Sequence, residues 1–293
     1  MHKFLRAVGF SEYKRKSQIE RLLDQAERSA METRIVQMED GVTRAQIYTE
    51  AGRQIGLSVC GEYNEADQLE REYYFPFLRS VCISTTAPCQ IQRHAEKESY
   101  AGICEEYKVG VSLIFYLQNS AEYLRRLSDP AKSTRITSVM LSGLSTYGRI
   151  LLPVYKTEKQ RERIKVASLA RADLLEAARR GDAKAMDSLA IEDMDIYNSV
   201  TGRVRNEDIY SIVDSSFMPF GVECDQYSVL GEIQEVEKVT NGWTNEEIYV
   251  LMVECSDLVF QIGINADDLL GEPAVGRRFK GTVWLQGYVN FAD

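Results

Sequence analysis

Apolar positions in the first thirty residues recur at helical spacing. Phe4, Leu5 and Val8 form a short face stopped by Gly9, and Ile19, Leu22, Leu23 and Ala26 form a second helix that starts near Ser11 or Ser17. From Thr33 the period drops to two. Segments 33–38, 42–49, 54–62 and 71–78 alternate or run apolar between the turn residues Gly41 and Gly52, which predicts strands. The stretch 80–117 predicts further strands and ends in 109–117, the longest apolar run and the expected central strand. A short helix at 121–127, closed by Asp129-Pro130, precedes strands expected at 135–141 and 148–155.

Residues 157–214 change character. Ile164, Ala167, Ala170, Leu174 and Ala178 keep the helical period among charged neighbours, and Arg180-Gly181-Asp182 ends one helix and starts the next, with Gly as the stop and Asp as the cap. Two short helices are expected after it, at 192–200 and at 206–213 with Asn206 as cap. Strands return at 226–237, 246–255, 258–264 and 277–290, with Asn241-Gly242 marking a hairpin and a short helix or turn at 266–270. The pattern predicts an α+β protein. Residues 1–156 form a mixed-sheet domain with an N-terminal helical hairpin, 157–214 a helical connector, and 215–293 a small antiparallel β-barrel-like module. That module is either a partly open barrel of OB type or a curled sheet packed on the connector.

Charge sharpens this division. The tail from Phe217 onward holds four Lys/Arg against thirteen Asp/Glu, while the rest of the chain holds 31 of each, so the whole net charge of −9 lies in the tail. With 44% hydrophobic and 27% charged residues, the composition is that of a well-cored globular protein. No apolar run approaches the roughly 20 residues of a membrane span. The opening Met1-His-Lys-Phe-Leu-Arg6 has charge but no apolar signal core, so the expected location is the cytoplasm.

Candidate chemistry is sparse. The six cysteines include no C-x-x-C; Cys60 and Cys82 read as small buried hydrophobes on strands, and a Cys–His dyad would have to pair His94 with Cys89 or Cys104. The spacing from Gly143 to Gly148 is that of a phosphate loop, but Arg149-Ile150 follows in place of Lys-Ser/Thr and the next residues are strand-like. Gly271, Gly276 and Gly281 do not match a dinucleotide fingerprint, and Asp193-Met194-Asp195 lacks the third ligand and the glycine of a calcium loop. No metal and no cofactor is expected. Glu223 and Asp225, around Cys224 in the run 217–227, are the best paired carboxylates, since on extended backbone they face the same side; Glu254 and Asp257 come second. Phe220 beside them, and the tail's basic cluster Arg277, Arg278 and Lys280, complete the candidate interaction or pocket residues. The basic stretches 156–180 and 1–28 are expected to face the acidic tail within the same chain.

Three stretches carry a resemblance: Met1-His-Lys-Phe-Leu-Arg-Ala-Val-Gly-Phe10, the segment 208–225 with Phe217-Met-Pro-Phe-Gly-Val-Glu-Cys-Asp225, and Gly271-Glu-Pro-Ala-Val-Gly-Arg-Arg-Phe-Lys-Gly-Thr-Val-Trp-Leu-Gln-Gly287. Over its whole length the chain resembles a family of uncharacterised proteins of clostridial Firmicutes of about this size. The resemblance implies a cytoplasmic bacterial protein and brings no activity, cofactor or catalytic residue. The leading functional expectation is a non-enzymatic interaction or regulatory protein with a protein partner. The alternative is a small-molecule-binding protein or hydrolase with an interdomain pocket using Glu223 or Asp225. RNA or nucleoid binding through the basic helices ranks last because the sequence pI is near 5.1.

Overall fold

The computed structural model describes residues 2–38, 41–94, 99–106, 109–154, 158–222 and 224–292. Lys3–Val8 forms a 3-10 helix that buries Phe4, Leu5, Ala7 and Val8, and Gly9, at φ 90°, turns the chain out of it. Helix α1 (Lys16–Arg28) starts where the Gln18 side chain accepts the Lys14 and Arg15 N–H groups at 3.2 and 2.9 Å. Its apolar stripe, Ile19, Leu22, Leu23 and Ala26, is buried. Its polar side carries Glu20, Asp24 and Glu27, all three held by Arg71. Arg71 belongs to the first sheet, an antiparallel meander of β1 (Glu32–Gln37), β2 (Thr43–Gly52), β3 (Ile55–Tyr63) and β4 (Leu69–Leu78).

The second sheet has ten strands and draws on both sides of the connector. β5 (Cys89–Arg93), β6 (Tyr100–Glu106) and β7 (Val111–Leu117) form a meander, helix α2 (Ser120–Leu127) follows, and β8 (Ile136–Leu151) comes next. After the helices α3 (Glu158–Arg179) and α4 (Ala183–Val204) and the single turn α5 (Ile209–Ile212), the chain adds β9 (Ser216–Pro219), β10 (Gln226–Thr240), β11 (Glu247–Cys255), β12 (Leu258–Asn265), β13 (Leu269–Leu270) and β14 (Arg278–Phe291). Five of these strands pair in a circuit: β8 with β12, β12 with β11, β11 with β10, β10 with β14, and β14 back to β8. The β8–β12 pairing is parallel and the others antiparallel. The chain is thus α+β with two sheets. No helix among the described residues is long and apolar enough to cross a membrane.

Three expectations need correction. The strands expected at 135–141 and 148–155 are one strand of 16 residues. Gly143 and Gly148 lie inside it because β14 crosses close by: a Cβ would meet Val283 at 3.0 Å and the Phe279 ring at 2.4 Å. The run 109–117 is not central, since only β6 and β5 lie beyond β7; its burial alternates, so its apolar letters describe a half-covered strand. The two short helices expected in 192–213 are a single helix reaching Val204 and a separate turn capped by Asp208, whose side chain accepts the Tyr210 N–H at 2.7 Å, rather than by Asn206. Nothing between 183 and 201 breaks a helix, so α4 runs through.

Two apolar cores result. One lies within the circuit, built from Leu141, Ile233, Leu251, Phe260, Ile262, Phe279 and Leu285. The other lies between the first sheet, the N-terminal helices and the outer face of the circuit, where Leu144, Val250 and Trp284 meet Phe4, Leu57 and Phe75. A line of buried amides crosses this second interface. Gln46 donates to Gln118 O at 2.7 Å and its oxygen accepts the Ala121 N–H at 3.0 Å. Gln118 donates to Leu78 O and to Gln286 Oε1, both at 2.9 Å, and Gln286 donates to Pro76 O at 2.8 Å. At the other end, buried Asn241 donates to Val8 O at 2.8 Å and caps its own hairpin by accepting from Trp243 N, also at 2.8 Å.

Gln286→Leu keeps the side-chain volume but removes the donor to Pro76 O and the acceptor shared by the Gln118 amide and the Leu78 N–H. Each such loss costs about 1–3 kcal/mol, so urea denaturation should show a fall of that size. Adding Gln118→Leu should cost less than the sum of the two single changes, because the pair is coupled. Strict additivity would mean that the amides do not act as one connection.

Candidate functional site

Arg278 stands at the start of β14 and is 5% exposed. Its guanidinium donates to Leu152 O at 3.0 Å, to Tyr210 O at 2.7 Å and to Val213 O at 3.0 Å. Leu152 lies just before the helical connector and Tyr210 and Val213 at its far end, so one side chain ties together both ends of the excursion. Burial lowers the Arg278 pKa from its ordinary value. The other members of the basic cluster do different work. Arg277 is exposed at the guanidinium and donates to Glu272 O at 2.6 Å, and Lys280 donates to Ser228 Oγ on the neighbouring strand at 2.7 Å.

Between those ends, α3 and α4 form a hairpin. Gly181 at φ 91° makes the turn, and Asp182 caps α4 by accepting from Lys184 N at 2.9 Å. Arg171 of α3 pairs with Glu192 at 3.0 Å and Asp193 at 2.5 Å on α4, and Arg179 reaches Glu105 of β6 at 3.7 Å. The expected docking of basic helix on acidic tail is therefore met at Arg171 by the hairpin's own second helix. From the other basic stretch, Arg6 does pair with Asp268 of the tail. Among the described side chains of the two helices, Ala185 and Leu189 are buried. Met186, Ala190, Met194, Tyr197 and Val204 recur every three, four or seven residues, one stripe along α4, and all are exposed. Met194 is 66% exposed and Tyr197 69%; Val166 and Leu169 of α3 are also more than half exposed.

The remaining sequence-named residues scatter. Phe220 is half exposed after β9, beside exposed Met218 and Val222. Glu223 lies outside the described residues. The Asp225 carboxylate accepts the Trp284 indole N–H at 2.7 Å, and that indole stacks on Phe4 at 5.3 Å between centroids. Glu254 accepts from Gln234 at 2.9 Å, and Asp257 occupies the β11–β12 turn at φ 62°. Cys60 is buried on β3 as expected, but Cys82 is half-buried and lies outside any strand. His94 follows β5, five residues past Cys89, about 17 Å along an extended chain, and Cys104 faces Cys89 across the ladder at the same remove, so neither cysteine pairs with His94. Burial pushes the thiols of Cys60 and Cys255 up to about 12.

One cleft was not legible in the sequence. It measures about 420 Å³ and is lined by Glu32, Arg34, Glu122, Arg125 and Tyr288 among others. Arg34 donates to Glu32 at 2.6 Å, Glu122 at 2.9 Å and the Tyr288 hydroxyl at 3.2 Å. Burial alone would lower the Arg34 pKa, but its hydrogen bonds to Glu32 and Tyr288 outweigh that and hold it above its ordinary range. The arrangement saturates its charge internally. No group of His, Cys, Asp and Glu suited to a metal ion occurs among the described residues.

A sequence-family model described as a domain of unknown function, E. rectale gene description (DUF3881), matches residues 5–287. No curated protein and no solved structure matches the chain.

Two expectations follow from these placements. Arg278→Met orphans three carbonyls and should lower stability by at least about 1–3 kcal/mol, whereas Arg277→Met should stay within about 0.5 kcal/mol; equal losses would overturn the assignment of Arg278 as the clamp. Raised thiol pKa values also set a pH dependence. The folded chain keeps the Cys60 and Cys255 protons up to about 12 while the unfolded chain loses them near the ordinary value of 9.0. Their contribution is thus whole below about pH 9 and is lost as the pH rises toward about 12. Urea titrations across that window should show the decline, and it should be shallower in a Cys60→Ala/Cys255→Ala variant.

Proposed function

Since the chain belongs to the DUF3881 family, whose description carries no activity, we propose from its own surfaces that it is a non-enzymatic interaction protein. It binds a protein partner through the open side of the α3–α4 hairpin. The observation that carries this reading is the stripe Met186, Ala190, Met194, Tyr197 and Val204, left in water, as are Val166 and Leu169 of α3. Contiguous apolar surface of this kind marks interaction sites. Two helices of 22 residues are each about 33 Å long and about 10 Å wide, so one side of the pair offers roughly 660 Å², near the roughly 800 Å² per partner of a standard interface. The hairpin is also polarised: 158–180 holds seven Lys/Arg against four Asp/Glu, and 183–204 holds two against four. A partner helix pair with the opposite arrangement would match both charge and apolarity.

In this reading the division into 1–156, 157–214 and 215–293 is one of roles. The connector is the arm and the flanking segments are its scaffold, with the strand circuit as a barrel-like module completed by β8. A second reading, small-molecule binding, is favoured by the cleft at Arg34, whose volume falls in the range of about 300–1,000 Å³ usual for ligand sites. Nucleic-acid binding ranks below both, because Arg171 is already paired within the hairpin.

Affinity capture from nuclease-treated native lysate, run beside a Met194→Glu/Tyr197→Glu variant, tests the leading reading, together with light scattering of the pure protein. A stoichiometric partner, or a second copy, present for the wild type and lost in the variant is the expected result. A monodisperse monomer that retains the same proteins with and without the two substitutions would overturn it.

A further inference from the structure

Cys89 of β5 and Cys104 of β6 are direct partners across the antiparallel ladder. The bond from Glu105 N to Pro88 O, at 3.2 Å, runs just outside this pair. That pattern makes Cys89–Cys104 a non-hydrogen-bonded site, where facing Cα atoms stand about 4.5 Å apart and side chains come closest. Disulfides span Cα separations of about 4.4–6.8 Å, so the backbone needs no rearrangement to accept a bridge. Both residues are free thiols; the register sets their side chains against each other, and their S–H groups are directed at Gln90 O at 3.8 Å and Ala87 O at 3.9 Å. Cys104 is fully buried, whereas Cys89 is partly exposed on the outermost strand of the sheet's path and opens the pair to solvent.

We propose that Cys89 and Cys104 form a redox-responsive pair, closed into a cross-strand disulfide by a hydroperoxide and reopened by a dithiol. In the first step the thiolate of the pair attacks the outer peroxide oxygen. An S–O bond forms, the O–O bond breaks, and the departing alkoxide or hydroxide takes up a proton. In the second step the other sulfur attacks the resulting sulfenic acid. The S–S bond forms, the S–O bond breaks, and the released hydroxide leaves as water with the second thiol's proton. Two electrons pass from the sulfurs to the peroxide. The hydrogen bond from Cys89 lowers the Cys104 pKa, which favours a thiolate within the pair.

The bridge has structural reach. It fastens the edge strand to β6, and the residue after Cys104 is Glu105, the acid that meets Arg179 at the end of α3. Cys224, exposed on its loop, has no such facing cysteine and serves as an internal control.

The test treats the folded, fully reduced chain with hydrogen peroxide, then denatures it and alkylates the remaining thiols for intact-mass and peptide analysis. The expected product has two fewer alkylated cysteines than the six of the reduced chain, a linked peptide joining Cys89 to Cys104, and full reversal by dithiothreitol. Its thermal midpoint should lie above that of the reduced chain. In Cys89→Ser the link should vanish. Six thiols still alkylated after treatment, or oxidation confined to Cys224, would overturn the proposal. The wild-type measurement needs no variant and reads out even if Cys89→Ser misfolds.

Discussion

Apolar faces alone would let the two sheets slide over one another, since burial of hydrocarbon is indifferent to small shifts. The buried amides do not allow this. Gln46, Gln118 and Gln286 come from β2, the end of β7 and β14, and each donates to a group on an element other than its own. A displacement of even one residue would leave several amide groups dry and unpaired, at a cost comparable to a sizeable part of a domain's net stability. Asn119 extends the same constraint to α2, exchanging hydrogen bonds with both the N–H and the C=O of Val289. Everything positioned by that interface, including the cleft at Arg34 and the aromatic cluster around Trp284, inherits its register from these few side chains.

The connector obeys a different rule. Its second helix buries Ala185 and Leu189, and its helices make their own ion pairs through Arg171. The body holds them through Arg278 and through the Arg179–Glu105 contact. A guanidinium suits this role because its donors point in fixed directions and can reach carbonyls on separate chain segments at once. The result is an arm held firmly at its base, with much of its apolar surface open.

Much of the candidate site could be read from the chain, though not the right parts of it. The helical period over 164–178 and the Gly181-Asp182 boundary located the hairpin, and the tail's basic cluster drew attention to Arg278. What one-dimensional reading missed was the job of each residue. Arg277, Arg278 and Lys280 look like one patch in sequence, but β14 sends them to a loop carbonyl, to the ends of the connector and to a neighbouring strand. The Arg34 network joins residues up to 254 positions apart, a separation no local pattern encodes. Cys89 and Cys104 are fifteen apart and became a pair only through the β5–β6 register.

Local order was therefore settled by the sequence itself. Apolar period decided helix against strand for most elements, and Gly9, Gly181, Asp182 and Asn241-Gly242 placed turns where side-chain chemistry and backbone sterics demand them. The separation of charge between body and tail is likewise a property of composition alone. Tertiary structure decided which strands became neighbours. Gly143 and Gly148 are strand residues because β14 passes within contact distance, and β8 serves the C-terminal strands because Phe279 and Val283 find their space against it. The physical reason is range: capping, turns and periodicity act over a few residues, whereas strand pairing and buried polar matching depend on segments that meet only after the chain has folded.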